Sequence, residues 1–248
     1  MRMPFIAGNW KMFKTREQAL AFAEEFKRIY TPTDIKVAVF APYTQLGDLV
    51  EAFKGSPIYV GAQNMHFENE GAYTGEISPL MLKELGVSHC ILGHSERRQY
   101  FNEDDESCNK KLQAAFNHDI LPVFCVGENL DQRQANKAFS VVESQLNGGL
   151  KAIKKEDIAR LTIAYEPVWA IGTGKTATPE EANEMCGFIR EKLINLYGDE
   201  IADKVVIQYG GSVKPSNATE IMNMEEIDGA LVGGASLDPK SFMEIIDF

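Results

Sequence analysis

The chain has 248 residues, 44% hydrophobic and 25% charged, with a formal net charge of −11 at pH 7. That balance excludes a disordered chain, a collagen and a coiled coil, and the length permits a large core without disulfide or metal staples. A net acidic chain argues against nucleic-acid binding, and no apolar run approaches the ~18 residues of a membrane span.

From the N-terminus, residues 1–11 hold too short an apolar stretch for a secretory leader, so a cytoplasmic protein is expected. Short, nearly continuous apolar runs at 5–8, 36–40, 58–62, 90–93, 122–126, 162–165, 205–209 and 230–232 read as strands buried on both faces. Helical periods lie between them. The clearest passes through Ala182, Met185, Ile189, Leu193 and Leu196, a spacing that puts one apolar stripe on one face. Thr178 caps this helix, Pro179 takes its first turn, Glu180 and Glu181 sit at its positive dipole end, and Gly198 stops it. Eight strands each followed by a helix, at about 31 residues per repeat, predict a single (β/α)8 barrel domain over residues 1–248. A doubly wound open sheet alternates in the same way, but its phosphate fingerprint follows the first strand. Here that strand ends in Gly8-Asn9-Trp10-Lys11 without one.

Metal and redox chemistry find no support in the spacing. Cys90, Cys108, Cys125 and Cys186 contain no CxxC pair and read as buried free thiols. His66, His89, His94 and His118 lack the HExxH spacing that places two ligands on one helix face. No metal or cofactor is expected.

Barrel chemistry gathers at strand C-termini. The residues expected there are Asn9 and Lys11 after the first strand, Gln63 and Asn64 after the third, and His94, Ser95 and Glu96 after the fourth. Gly127-Glu128 follows the fifth and Glu166 the sixth, while Gly210-Gly211-Ser212 and Gly233-Gly234 follow the last two. Taken singly, Lys11 reads equally as a solvated charge, His94 as a packed ring and Glu166 as a loop start. All three falling on one rim is not expected of surface residues. The glycine pairs let backbone approach a phosphate ahead of a helix start, although tight turns of positive φ would also use them. Residues 172–177 imitate a dinucleotide or P-loop fingerprint, but five residues separate them from Glu166 and Trp169 stands where a P-loop needs its first Gly. Residues 167–177 read better as a lid with a Gly-rich tip beside Glu166. The sequon at Asn217 is expected to stay unmodified.

Together, Gly8-Asn9-Trp10-Lys11, residues 93–98, residues 164–174, Tyr209-Gly210-Gly211-Ser212 and residues 232–236 resemble the triosephosphate isomerase family, and these motifs run the length of the chain. The resemblance implies a cofactor-free isomerase of glycolysis and gluconeogenesis. It implies Glu166 as the base, His94 as a neutral hydrogen-bond donor and Lys11 as the electrostatic stabiliser; this base-and-histidine pairing is a standard worked case of tuned acidity. Asn9, Lys11, Gly172, Ser212, Gly233 and Gly234 would hold the substrate. Glu96, Glu128, Trp169 and Tyr209 would support them, with Trp169 exchanging partners between Tyr165 and Glu128 and Tyr209 and Ser212 latching the lid. The long segment 63–78, with Thr74 and Glu76, would reach into a second subunit of a homodimer, although a self-packed loop is the alternative. Two other functions compete. One is another phosphate-binding barrel, such as a tryptophan-pathway enzyme or a Schiff-base aldolase, which would use Lys11 as nucleophile and leave Glu166 idle; the other is a silent barrel binding sugar phosphates or partners, which would have no need of Glu166, His94 and a lid together.

Overall fold

The computed structural model describes residues 2–170 and 177–248. Strands β1 (Phe5–Asn9), β2 (Lys36–Ala41), β3 (Ile58–Ala62), β4 (His89–Leu92), β5 (Leu121–Val126), β6 (Thr162–Tyr165), β7 (Val206–Tyr209) and β8 (Gly229–Val232) pair in chain order into a closed parallel barrel. Closure is made by β1 against β8, with Phe5 opposite Gly229. A Cβ at Gly229 would overlap the Phe5 carbonyl, so only glycine lets the two strands meet there.

Alternation along each strand builds two cores. Phe5, Ala7, Phe40, Ile91, Val123 and Leu231 fill the barrel. Ile6, Val37, Val39, Leu92, Ile163 and Ile207 face outward and pack with the helices. Burial on both faces is the reason the strands read as continuous apolar runs.

The strand positions match the sequence reading to within one or two residues, but the helices differ. Among the described residues there are twelve α-helical segments rather than eight. After β4 the chain forms Ser95–Tyr100 and then Asp105–Asn117, interrupted where Asn102 takes φ 53°. After β5 it breaks at Asn136 (φ 54°) and Ala152 (φ 58°), giving Leu130–Gln134, Ala138–Gly149 and Lys155–Ile158. The helix Pro179–Tyr197 has the expected Thr178 cap with Glu181 closing a capping box, and Gly198 leaves it at φ 88°. Its stripe is buried from Ala182 to Leu193, but Leu196 is 45% exposed, because in the last turn Ile194 and Tyr197 carry the contact with the core instead. No described helix is long and apolar enough to cross a membrane. All four cysteines are free and buried.

Candidate active site

The strand C-termini bring Asn9, Lys11, His94, Glu96 and Glu166 to one rim. β1 delivers Asn9, whose Oδ1 accepts the Lys11 backbone N–H at 3.0 Å. This tight local bond accompanies a left-handed Lys11 backbone (φ 53°), an unfavourable region for a side-chain-bearing residue. Gln63, from the end of β3, secures the turn by donating Nε2 to the Lys11 carbonyl at 2.8 Å and the Phe40 carbonyl at 3.1 Å. Lys11 Nζ is thereby aimed across the rim at Glu96 Oε1, 2.6 Å away.

His94 follows β4 and caps the helix Ser95–Tyr100. Its Nδ1 accepts the Glu96 backbone N–H at 3.2 Å. A nitrogen that accepts cannot also carry a proton, so the ring's hydrogen sits on Nε2. Nε2 lies 2.9 Å from Glu166 Oε1, and the Ser95 backbone N–H donates to Glu166 Oε2 at 2.9 Å. Glu166 is 2% exposed.

Burial works to raise the Glu166 carboxyl, but His94, the Ser95 N–H and Lys11 outweigh it and hold the group below its ordinary range. Burial likewise pushes His94 down, and Glu166 and then Glu96 outweigh it, so the ring is raised. That direction departs from the neutral ring that the resemblance implies. The cause is the carboxylate resting on Nε2, and the Glu96 N–H on Nδ1 still favours the neutral ring.

Gly210 places the carboxylate. A Cβ there would lie 3.0 Å from Glu166 Cγ and 3.2 Å from the Tyr165 carbonyl, inside ordinary contact. None of Gly210, Gly211, Gly233 and Gly234 has positive φ, which disposes of the tight-turn reading. Gly233 would bring a Cβ 3.7 Å from Lys11 Cε, and Gly234 faces open space. The two glycines form the head of the short helix Gly234–Leu237, with Gly233 beside the Lys11 side chain. Ser212 is half-buried, its carbonyl accepting from Asn217 Nδ2 at 3.0 Å. Gly172 and the tip of the expected lid lie outside the described residues.

Glu128 is fully buried and collects three donors on Oε1. Trp169 Nε1 lies at 2.8 Å, the Tyr165 hydroxyl at 3.2 Å and Arg133 at 3.3 Å. Trp169 and Tyr165 thus share Glu128 in this arrangement, where the sequence reading had Trp169 exchanging between the other two. Tyr209 is buried at the end of β7, and its phenol is pushed up mainly by burial.

Sequence reasoning placed Ser95 and Gln63 on the rim without their roles and missed Arg133, Lys111 and Glu103. Ser95 acts through its backbone, which no side-chain signature announces. Gln63 was legible only as a polar residue after a strand. Arg133 sits five positions past Glu128, stacks over Trp169 at 4.9 Å and also pairs with Glu181 at 2.8 Å. Beneath the rim, Lys111 is buried between Glu103 (2.7 Å) and Asn64 (2.8 Å), and Arg97 holds the other Glu103 oxygen at 2.7 Å. Among the described residues no His, Cys, Asp and Glu side chains cluster in a way that could hold a metal ion.

Comparison with known proteins gives concordant matches. The family model described as Triosephosphate isomerase matches residues 4–248. A Clostridium botulinum (strain Okra / Type B1) protein named Triosephosphate isomerase is 55% identical over 248 residues, covering all of both chains. One of the same name from Carboxydothermus hydrogenoformans is 56% identical over 247 residues, covering 99% of this chain and 98% of the relative. A third, from Finegoldia magna, is 52% identical over 249 residues, covering 100% and 99%.

Proposed function

The chain belongs to the triosephosphate isomerase family, and on that premise we propose that it interconverts dihydroxyacetone phosphate and D-glyceraldehyde 3-phosphate through an enediolate. Glu166 takes the proton from the carbon beside the carbonyl and returns it to the neighbouring carbon. His94 donates from Nε2 to the substrate oxygens, and Lys11 stabilises both the phosphate and the charge that develops on the enediolate. Asn9 fixes the Lys11 turn, and the backbone at Ser212, Gly233, Gly234 and Gly172 receives the phosphate.

The observation that carries this reading is the placement of Glu166: a buried carboxylate, 2.9 Å from a histidine nitrogen that can donate, on the same rim as Lys11. The group is ionised at neutral pH and shielded from water, as a carbon-acid base must be. It must leave Ser95 and His94 to reach substrate. Lys11, in its 2.6 Å ion pair with Glu96, is a positive charge rather than the free amine a Schiff-base aldolase needs.

The reading extends to a homodimer through residues 63–78. Residues 68–76 are exposed without interruption, as are Met12 (93%), Tyr100 (67%) and Phe101 (64%). Exposed Met12, Tyr100 and Phe101 beside the catalytic rim suit a protein partner. Within the segment His66 stacks 4.4 Å from Phe67 and 4.3 Å from Tyr73, so the exposed stretch is tied back to its own base at Tyr73.

The test is a coupled assay with D-glyceraldehyde 3-phosphate and no added cofactor or metal. Glu166→Asp withdraws the base by about 1 Å and should cost ~100-fold in turnover with an unchanged melting curve. Activity within twofold of the parent would remove Glu166 from this role.

A further inference from the structure

At the end of the barrel away from the catalytic rim, a cavity of about 800 Å³ opens among the strand N-termini, lined in part by Arg2, Lys36, Arg160, Thr162, Lys204 and Asp228. Lys36, the first residue of β2, is half-buried there. Its Nζ stands 4.6 Å over the Phe5 ring and 5.4 Å over the Tyr59 ring. Among the described residues no carboxylate lies within ion-pair distance of this amine. Its neighbours differ: Arg2 is paired with Asp228, Arg160 with Asp119 and Lys204 with Glu200. The adjoining His89 ring, 5.1 Å from Tyr59, is kept well below its ordinary range by burial and then by Lys36, and brings no negative charge.

We propose that Lys36 is a second reaction site, at which its amine condenses reversibly with a small anionic aldehyde to form an imine. Three observations converge on it. The amine has room beside it. Its ammonium form has aromatic faces but no counter-ion, and burial brings its pKa down to about 8. Near neutral pH such an amine is deprotonated roughly 300-fold more often than an ordinary lysine, and only the neutral amine attacks a carbonyl. Finally, the cavity is lined by Arg2, Lys36, Arg160 and Lys204 against the carboxylates Asp203, Glu225 and Asp228, and the partners of Arg160 and Lys204, Asp119 and Glu200, are 72% and 87% exposed. Such exposed pairs are weak, so an incoming anion can compete for their cations.

The chemistry balances without a further reagent. The Nζ lone pair attacks the aldehyde carbon, a C–N bond forms, and the carbonyl π pair moves to oxygen, which takes up a proton. The carbinolamine then expels that oxygen as water while nitrogen loses its proton, leaving C=N. The aldose phosphate of the proposed isomerisation belongs to this class, but the site stands independently of that reading.

Pyridoxal 5′-phosphate is a suitable probe, since it is an anionic aldehyde whose imine borohydride reduces to a stable secondary amine. The full-length protein is incubated with it, reduced, digested and mapped by mass spectrometry. At limiting reagent, Lys36 should be modified about tenfold more than the exposed Lys54 or Lys151, and unphosphorylated pyridoxal should modify it several-fold less. Lys36→Arg keeps a cation over the rings and should abolish that label while leaving isomerase activity and melting temperature unchanged. Labelling of Lys36 at or below the level of Lys54 in the parent overturns the site, whatever the variant does. Equal labelling by pyridoxal overturns its preference for anions. Isomerase activity, assayed on the same preparation, reports separately on the catalytic reading.

Discussion

Gly210→Ala isolates what holds the proposed base in place. The backbone at this position lies outside the positive-φ region, so alanine is tolerated locally and the perturbation is the methyl group alone. That methyl would sit 3.0 Å from Glu166 Cγ, where ordinary contact begins at 3.4 Å. The Tyr165 carbonyl at 3.2 Å blocks retreat on the other side, because it belongs to the barrel wall. The softer partner is the Glu166 side chain, which must move by about half an ångström. A 1 Å misplacement costs ~100-fold, so half of that costs about tenfold in kcat. The loss falls on the transition state, so kcat and kcat/KM should drop together. Overpacking adds roughly 1–3 kcal/mol of destabilisation, read as a lower melting temperature. Gly47→Ala is the control: its added Cβ meets Leu85 at 3.6 Å, an ordinary contact inside the helix Tyr43–Ala52, so activity should hold and stability should hold or rise by up to about 1 kcal/mol. Turnover within twofold of the parent in Gly210→Ala, alongside a lowered melting temperature, would show that Gly210 serves packing only.

Other perturbations separate the remaining roles. Lys11→Met should weaken binding of a phosphate-bearing inhibitor and slow turnover together, since one charge serves both ends of the substrate; a change in stability alone would make Lys11 structural. In the folded protein burial raises the Glu166 carboxyl while His94, the Ser95 N–H and Lys11 hold it below its ordinary range, so the stability it contributes is present above its unfolded pKa and lost as pH falls through the lower folded value. His94→Gln removes the first of those opposing groups, so the Glu166 midpoint followed by carboxyl ¹³C NMR should move up; an unmoved midpoint would assign its acidity to Ser95 and Lys11. Deleting residues 171–174 should leave the barrel folded, lower isomerisation and raise the fraction of turnovers ending in methylglyoxal and free phosphate; a lower rate with no rise in that fraction would make the segment a binding element rather than a water-excluding lid.

The barrel was legible because its strands are buried on both faces, which leaves an unmistakable apolar run every thirty-odd residues. Asn9, Lys11, His94 and Glu166 were legible because they are polar residues directly following such runs. The helix breaks were not, since they occur at Asn102, Asn136 and Ala152, residues that adopt the left-handed region without glycine's signature. The support of Glu166 was hidden for a different reason: the Ser95 N–H belongs to the backbone, and Gly210 contributes by lacking an atom. Gln63 was legible as a rim residue but without its partners, and Arg133 read from sequence as an ordinary surface polar residue; only the closed barrel shows which carbonyl or carboxylate each one satisfies.

Glu166 in the unliganded protein is fully satisfied, with one oxygen on Ser95 N–H and the other facing His94 Nε2. Under the proposed function both contacts must be exchanged when substrate arrives. Hydrogen bonds to a charged group are each worth about 1.5–3 kcal/mol, so the resting position is stable against casual displacement. The substrate offsets the loss in part by replacing Glu166 on His94 with its own oxygens. The rest must come from elsewhere on the molecule, and the phosphate is the group with enough interaction energy to supply it, through Lys11 and the glycine backbone of the last two loops. Binding energy from a non-reacting phosphate is thereby converted into the position of the base, which is how remote groups contribute to kcat rather than to affinity alone. The same exchange governs acidity. Once the carboxylate leaves His94 Nε2, the main influence raising the ring's pKa goes with it, while the Glu96 N–H on Nδ1 stays. The movement that makes Glu166 a base therefore also returns His94 towards the neutral donor that the reaction requires.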